Sequence, residues 1–259
     1  MAFSTIETRI SGGRGELVLN RPEKLNALDH TTLTELAEAA GWFDRHPEVK
    51  VVVVSGSGRA FSAGADVSGF EAEAPPVEQA RARADAGRLM AQAIESIRAV
   101  TVARIHGYCV GGAVVLAAAC DLRVAGESAV FSIPEVDLGI PLAWGGIPRL
   151  VREIGPAMTR ELVLTCRPFS AAEARELGFL NRVVADDRLE GAVEELVDGL
   201  LGKSRLTLTA TKLAVHAASE EMIATAGAWN DADSLLSGLS DPESRRSAEA
   251  YLKRMKDRG

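Results

Sequence analysis

The run Val51-Val52-Val53-Val54 constrains this chain more than any other stretch. Four apolar, β-branched side chains in a row leave no polar face. Periodicity therefore points to neither an amphipathic helix nor a half-solvated strand. The run predicts a strand covered on both faces, the environment of a parallel sheet. Parallel neighbours are joined by long crossovers, usually helices, so an α/β fold is expected.

The rest of the chain fits that alternation. Phe3–Ile10 and Glu16–Asn20 are short β-like runs around the turn Ser11-Gly12-Gly13-Arg14-Gly15, and so predict a hairpin. Asp29 or Thr31 can cap a helix over residues 32–45, with Leu33, Leu36, Ala39 and Trp42 at helical spacing. A glycine- and alanine-rich loop over 56–75 precedes a polar helix over 76–98. Strands are expected at Thr101–Ile105, Leu122–Val124, Ala129–Ile133 and Arg182–Val184. Helices are expected from about 111, over 146–165, and then over 187–202, 206–218, about 219–237 and 241–256. Gly178 reads as a helix stop. The unbroken helical tail implies a separate α subdomain beginning near residue 200, giving a core over 1–200 and a helical region over 201–259.

Composition excludes some functions. With 47% hydrophobic and 25% charged residues, the chain belongs to the soluble globular class. A net charge of −7 argues against a nucleic-acid surface, though not against an anion held by local donors. Cys109, Cys120 and Cys166 show no C-x-x-C spacing, which suits reduced, buried thiols in the cytoplasm. No basic-then-apolar leader opens the sequence, and no apolar run approaches the ~20 residues of a membrane span. His30, His46, His106 and His216 are scattered without metal-ligand spacing, so no metal is expected.

Two motif fragments are decoys. Gly56-Ser57-Gly58 after the valine strand begins a dinucleotide fingerprint, but Phe61 stands where its third glycine belongs. Ala60-Phe61-Ser62-Ala63-Gly64 nearly matches a nucleophile elbow, yet no helix follows Ser62 directly.

Three segments carry more. Residues 60–66 and 106–112 are both small-residue stretches following buried strands, where open α/β sheets bind ligands. The second leads into a helix that starts on Gly111-Gly112, without the Ser, Thr, Asp or Asn that would cap it. Bare N–H groups from two such loops can hold one carbonyl oxygen and stabilise its charge as an enolate, the second aided by the helix dipole. Tight helix–sheet packing explains the glycines equally well at this level. The third segment places Glu135 directly after Pro134 among Ile133, Val136, Ile140, Leu142 and Trp144. A carboxylate in such apolar company has a raised pKa and can act as base, then acid, near neutrality. Asp137 alternates away and reads as the surface acid.

Taken in order, these segments resemble the crotonase superfamily, the enoyl-CoA hydratase/isomerase group. Residues 20–29, reading Asn20-Arg21-Pro22-Glu23-Lys24-Leu25-Asn26-Ala27-Leu28-Asp29, are similar to its N-terminal signature. Residues 60–67 resemble its first oxyanion and CoA loop, 106–121 its second oxyanion segment, and 131–139 its P-E-x-x-L-G box. Gly145-Gly146 and Arg149-Leu150 continue the match. The resemblance implies a spiral of ββα units with a C-terminal helical subdomain that makes oligomer contacts and covers the pocket. It also implies a homotrimer or dimer of trimers, a CoA thioester as substrate, and no metal or separate cofactor. It assigns the oxyanion N–H groups to Ala65 and Gly112, the acid/base to Glu135, and the CoA path to Lys24, Leu25, Ala63, Gly64 and Asp66. Lys212 is a weaker candidate for a phosphate contact.

The chain departs from the hydratase pattern at one decisive place. Hydratases of the family use two glutamates, and the position of the first is Val115. Side chains three apart share a helix face and lean toward the N-terminus, so residue 115 overhangs the second oxyanion donor. Valine cannot orient water. Some dienoyl isomerases need further acids, but Val115 and Ala143 occupy the corresponding places. A single carboxylate suits proton transfer, so double-bond isomerisation is expected ahead of hydration, with non-catalytic acyl-CoA binding as the remaining alternative. In Leu138-Gly139-Ile140-Pro141-Leu142 the proline stands one place earlier than in typical hydratases. With Val115, Leu142 and Trp144 this predicts a reshaped acyl pocket.

Overall fold

A computed structural model describes residues 3–67 and 76–256. The predicted loop over 56–75 therefore lies partly outside the described residues. The hairpin is β1 (Ile6–Ser11) and β2 (Arg14–Leu19), antiparallel, with Ile6 opposite Leu19. After a short 3₁₀ turn at Pro22–Lys24 comes α1 (His30–Asp44), capped by Asp29, whose side chain accepts from the Thr32 N–H at 2.8 Å. The valine run lies in β3 (Val51–Gly56), buried at every position.

Helix α2 (Val77–Ser96) leads to β4 (Val100–Ile105). The chain then leaves the main sheet. Gly107 turns at φ +59°, and Tyr108–Val110 forms β5 in a second, smaller sheet. Helix α3 (Gly112–Ala118) follows, then β6 (Leu122–Gly126) and β7 (Val130–Ser132). These last two strands, adjacent in sequence, belong to different sheets.

Next come α4 (Gly146–Thr165), broken in the middle at Gly155-Pro156, and β8 (Phe169–Ser170). Then follow α5 (Ala171–Glu176), β9 (Arg182–Val184) and α6 (Leu189–Leu201). The main sheet runs β1-β2-β3-β4-β6-β9, parallel from β2 onward, and the small one β5-β7-β8. This mixed α/β spiral with helices at its C-terminal end is the fold class read from the sequence.

Two short strands, β5 and β8, were not foreseen, and of α5 only its stop at Gly178 was read. They have three, two and six residues, too few for hydrophobic periodicity to register. The tail also differs in detail. Helix α7 (Arg205–Met222) runs four residues past the predicted stop, and the predicted helix over 219–237 is replaced by a 3₁₀ turn at Ala226–Asn230 and α8 (Asp231–Ser240). Glu220 explains the break: its carboxylate accepts from the Thr225 N–H and hydroxyl, drawing the chain back after α7. Helix α9 (Pro242–Lys256) ends the described chain.

One face of the main sheet packs against a large core that includes α1, α2 and α3, and the other against α6 through Val51, Val53, Val102 and Val124. All seven residues of α3 are buried, so this helix is apolar all round because it lies inside the molecule. Among the described residues no helix is long and apolar enough to cross a membrane.

Candidate active site

Asn26 begins the site. Its backbone is left-handed (φ +55°), a conformation that asparagine tolerates better than most residues, and it is buried. Its side-chain amide donates to the carbonyls of Ser57 (2.8 Å), Ala60 (2.9 Å) and Phe61 (3.3 Å) and accepts from the Arg21 N–H (2.9 Å). Its own carbonyl accepts from the Ser62 hydroxyl at 2.7 Å, and the Gly64 N–H donates to that same hydroxyl. Ser62 is fully buried and committed to this network, so the nucleophile-elbow fragment is structural.

This stitching directs the next residue. Leu28 and Ala65 form a parallel bridge in which Leu28 donates to Gly64 and accepts from Asp66. In a parallel bridge the residue between those partners turns its own N–H to the other side. The Ala65 amide accordingly has no hydrogen-bond partner among the described residues, and neither does that of Gly112.

The two loops are joined directly. Phe61 donates to His106, Ser62 to Tyr108, and Val110 back to Ser62. Gly64 (φ +84°) is pressed so close that a Cβ there would overlap the Val110 carbonyl and stand 3.3 Å from the Gly112 nitrogen. Gly111 (φ +54°) begins α3 with no side-chain cap. Because α3 has only seven residues, its first amides, rather than a long dipole, supply the positive field.

Glu135 closes the arrangement. A Cβ on Gly111 would stand 2.5 Å from its Oε1, so only glycine lets the carboxylate lie against the start of α3. The side chain is nearly buried, and Oε2 has no hydrogen-bond partner among the described residues. Desolvation raises its pKa to about 7. A carboxylate with that pKa is half ionised near neutrality, as a group that takes up and returns a proton requires.

A cavity of about 860 Å³ brings the predicted residues together: Lys24, Ala65, Asp66, Gly112, Val115, Glu135, Leu142 and Trp144 all line it. Leu25, Ala63 and Gly64 do not. They form the wall behind, Ala63 donating to the Leu25 carbonyl at 2.9 Å. Lys24 reaches Asp66 at 3.6 Å and remains half exposed.

The Lys212 expectation is corrected. Its ammonium pairs with Asp121 at 2.8 Å and donates to Ala99 in a separate cleft under α7, so it is committed to holding that helix. Glu95, His216 and Glu220 place ligand atoms within 4.8 Å of one another in the same region. Arg149 and Arg152 already donate to those carboxylates, so the cluster works as an ion-pair network.

Sequence reasoning missed two contributors. Arg21 donates to the Ala27 carbonyl and to Asp66 at 3.0 Å, bracing the Ala65 loop from below. Leu235, Leu236, Leu239 and Leu252 from α8 and α9 roof the cavity. Gly139 seats that roof, because a Cβ there would run into the Ser244 backbone of α9. Residues so distant along the chain leave no local signal, whereas Arg21 stands inside the quoted N-terminal signature.

The fold is that of an α/β protein in which one cavity is lined by the buried carboxylate of Glu135 and by Ala65 and Gly112, whose amides have no partner among the described residues. The family model described as enoyl-CoA hydratase/isomerase matches residues 9–258, and the chain belongs to that family. It is 37% identical to the peroxisomal Delta(3,5)-Delta(2,4)-dienoyl-CoA isomerase of Arabidopsis thaliana, covering 83% of each chain. It is 34% identical to a crotonyl-CoA hydratase of Syntrophomonas wolfei, again covering 83% of each. Among solved structures, an enoyl-CoA hydratase/isomerase from Xanthobacter autotrophicus Py2 superposes with a TM-score of 0.87 at 28% identity, over 96% of this chain and 97% of that one.

Two predictions follow from this geometry. Asn26→Asp keeps the shape but replaces three donated hydrogen bonds with a carboxylate facing carbonyl oxygens. It is expected to cost about 3 kcal/mol or more in urea unfolding and to weaken acyl-CoA binding; wild-type stability would contradict the stitching role. Glu135 has the opposite sign. Its folded pKa of about 7 lies above the ordinary value of 4.5, so folding binds a proton. That stabilisation is complete below the ordinary value and is lost as pH rises through 7. Glu135→Gln is therefore expected to exceed wild type in stability by about 3 kcal/mol at about pH 8, with the gap closing toward about pH 5. A gap independent of pH would refute the burial argument.

Proposed function

We propose that this chain isomerises the double bond of a 3-enoyl-CoA to the 2-enoyl-CoA. The observation that carries the reading is one buried, half-ionised carboxylate in the cavity, Glu135, with an inert Val115 where a second acid would stand. In this mechanism ionised Glu135 takes a proton from the α carbon. The released electron pair spreads into the thioester, and the oxygen gains charge while held by the N–H groups of Ala65 and Gly112. Protonated Glu135 then returns the proton to the γ carbon, and the double bond now lies between the α and β carbons. The electrons balance within the substrate, and nothing beyond its CoA is required.

Lys24 and Asp66 at the cavity mouth, with Leu25, Ala63 and Gly64 behind them, form the CoA path in this reading. Val115, Leu142 and Trp144 bound the acyl end. The other acids lining the cavity are less suited to the acid/base role. Asp66 faces Arg21 and Lys24, Asp29 caps α1, and Glu249 is exposed on α9.

Hydration is the second reading, favoured by the crotonyl-CoA hydratase of Syntrophomonas wolfei among the relatives. A panel of 2-enoyl, 3-enoyl and 2,4-dienoyl thioesters separates the two. Isomerisation predicts turnover of the 3-enoyl substrate, its kcat/KM rising with pH to a plateau above about 7 as Glu135 ionises. Glu135→Gln is expected to lower that rate by about a thousandfold or more while leaving acyl-CoA binding intact. Rapid hydration of the 2-enoyl substrate, or undiminished turnover by the variant, would overturn the proposal.

The reading includes a cytoplasmic trimer or dimer of trimers. Three unpaired cysteines suit a reducing compartment. Helix α7 has no buried residue and leaves Leu206 79% and Met222 78% exposed, as suits a face covered by a second copy. Sedimentation equilibrium is expected to give three or six chain masses, and a monomer would exclude the assembly.

A further inference from the structure

Three locally unfavourable choices converge on one side chain. Trp144 is left-handed (φ +64°), a backbone conformation in which a bulky residue is strained. Gly87 interrupts the middle of α2, where alanine would be favoured by about 1 kcal/mol. Gly112 stands where α3 begins without a cap. Both glycines face the same indole. A Cβ on Gly87 would overlap Cγ, Cδ2 and Cε2 of the ring, and one on Gly112 would overlap Cζ3, with Cε3 and Cη2 2.8 Å away. The ring is therefore gripped between α2 and the residue that carries the second unpartnered amide. Its backbone is also fixed, since the next residue, Gly145, donates to Asp231 at 2.8 Å and accepts from Arg149 at 3.1 Å. A side chain held at both the ring and the backbone cannot swing aside to admit a wider ligand.

We infer that Trp144 is a specificity-determining wall that admits acyl groups unbranched at the α carbon and rejects those carrying an α-methyl. The inference rests on the proposed binding of the thioester oxygen at Gly112. An oxygen accepting from that amide sits about 2.9 Å from its nitrogen. The indole packs on that same glycine and lines the same cavity, so the inference puts the carbonyl carbon and its α carbon beside the ring. A rigid aromatic wall at that point leaves room for hydrogens and penalises a methyl group.

The test compares binding of butanoyl-CoA with that of 2-methylpropanoyl-CoA by calorimetry. The two acyl groups have the same number of carbons and differ only in branching. Neither carries a double bond to migrate, so the readout does not depend on turnover. Wild type is expected to prefer butanoyl-CoA by about tenfold or more, and Trp144→Ala to reduce that preference to about threefold or less. Trp144→Phe keeps an apolar ring for packing but shortens the wall, and is expected to fall between them. It decides the matter if the alanine variant does not fold.

No preference in wild type, or a preference unchanged in the folded variants, overturns the inference, and 3-enoyl-CoA turnover can still stand in either case. Conversely, a Trp144-dependent preference without 3-enoyl turnover supports the wall and rejects the isomerase reading.

Discussion

The amide side chain of Asn26 ties the chain before α1 to the chain after β3, and the geometry of the site depends on that tie. These segments have no regular hydrogen-bond ladder between them, so a single buried side chain satisfies three carbonyls and one N–H, two of those carbonyls in buried bonds. Once residues 57–62 are held, Ser62 and Gly64 follow, the Leu28–Ala65 bridge closes, and the Ala65 amide is left turned from Leu28 with no partner among the described residues. Each hydrogen bond is worth only about 1 kcal/mol net. Losing them together would leave several buried polar groups unpaired, and the position of an anion donor has little tolerance.

Much of this was legible in the sequence, for identifiable reasons. The four valines announce a doubly covered strand, and it lies at the centre of the main sheet. Asp29 announces the start of α1, and Gly178, at φ +92°, closes α5. The site segments were legible because each is local: a glycine pair, a Pro-Glu step, a small-residue loop. What the sequence hid is non-local. Lys212 looked free in a tail of helices, yet only the folded chain brings it to Asp121. The roof leucines of α8 and α9 meet the cavity from far along the chain, and no periodicity records that meeting. The strand β5 was hidden for a different reason. Its three residues pair with β7 of the small sheet, so tertiary pairing, and not propensity, makes them a strand.

Glu135 shows how stability and chemistry oppose each other in this fold. Burial against Gly111 with one oxygen unpaired costs the folded state free energy whenever the carboxylate is ionised, and no cation is supplied to offset it. The ion pairs are elsewhere. Arg149 and Arg152 share Glu95 and Arg123 meets Glu153 outside this cavity, while Arg21 meets Asp66 on its wall. That distribution leaves one group poised near neutrality and keeps the cations in scaffolding roles, a pattern expected of a proton-transfer site.

Val115 is best understood from the same packing. It is fully buried in a helix with no polar residue, and its Cγ2 lies so near Gly146 that a Cβ there would stand 2.9 Å away. Leu142 presses on that same glycine from the cavity side, and Trp144 closes over Gly112 one turn earlier. A carboxylate at 115 would therefore need more than a substitution. It would have to displace apolar neighbours, and it would share the cavity with Glu135, whose pKa no neighbouring cation lowers. Two carboxylates in one cavity would raise each other's pKa further. The apolar residue at 115 is thus matched to the surrounding walls, and the proposed proton transfer rests on that match.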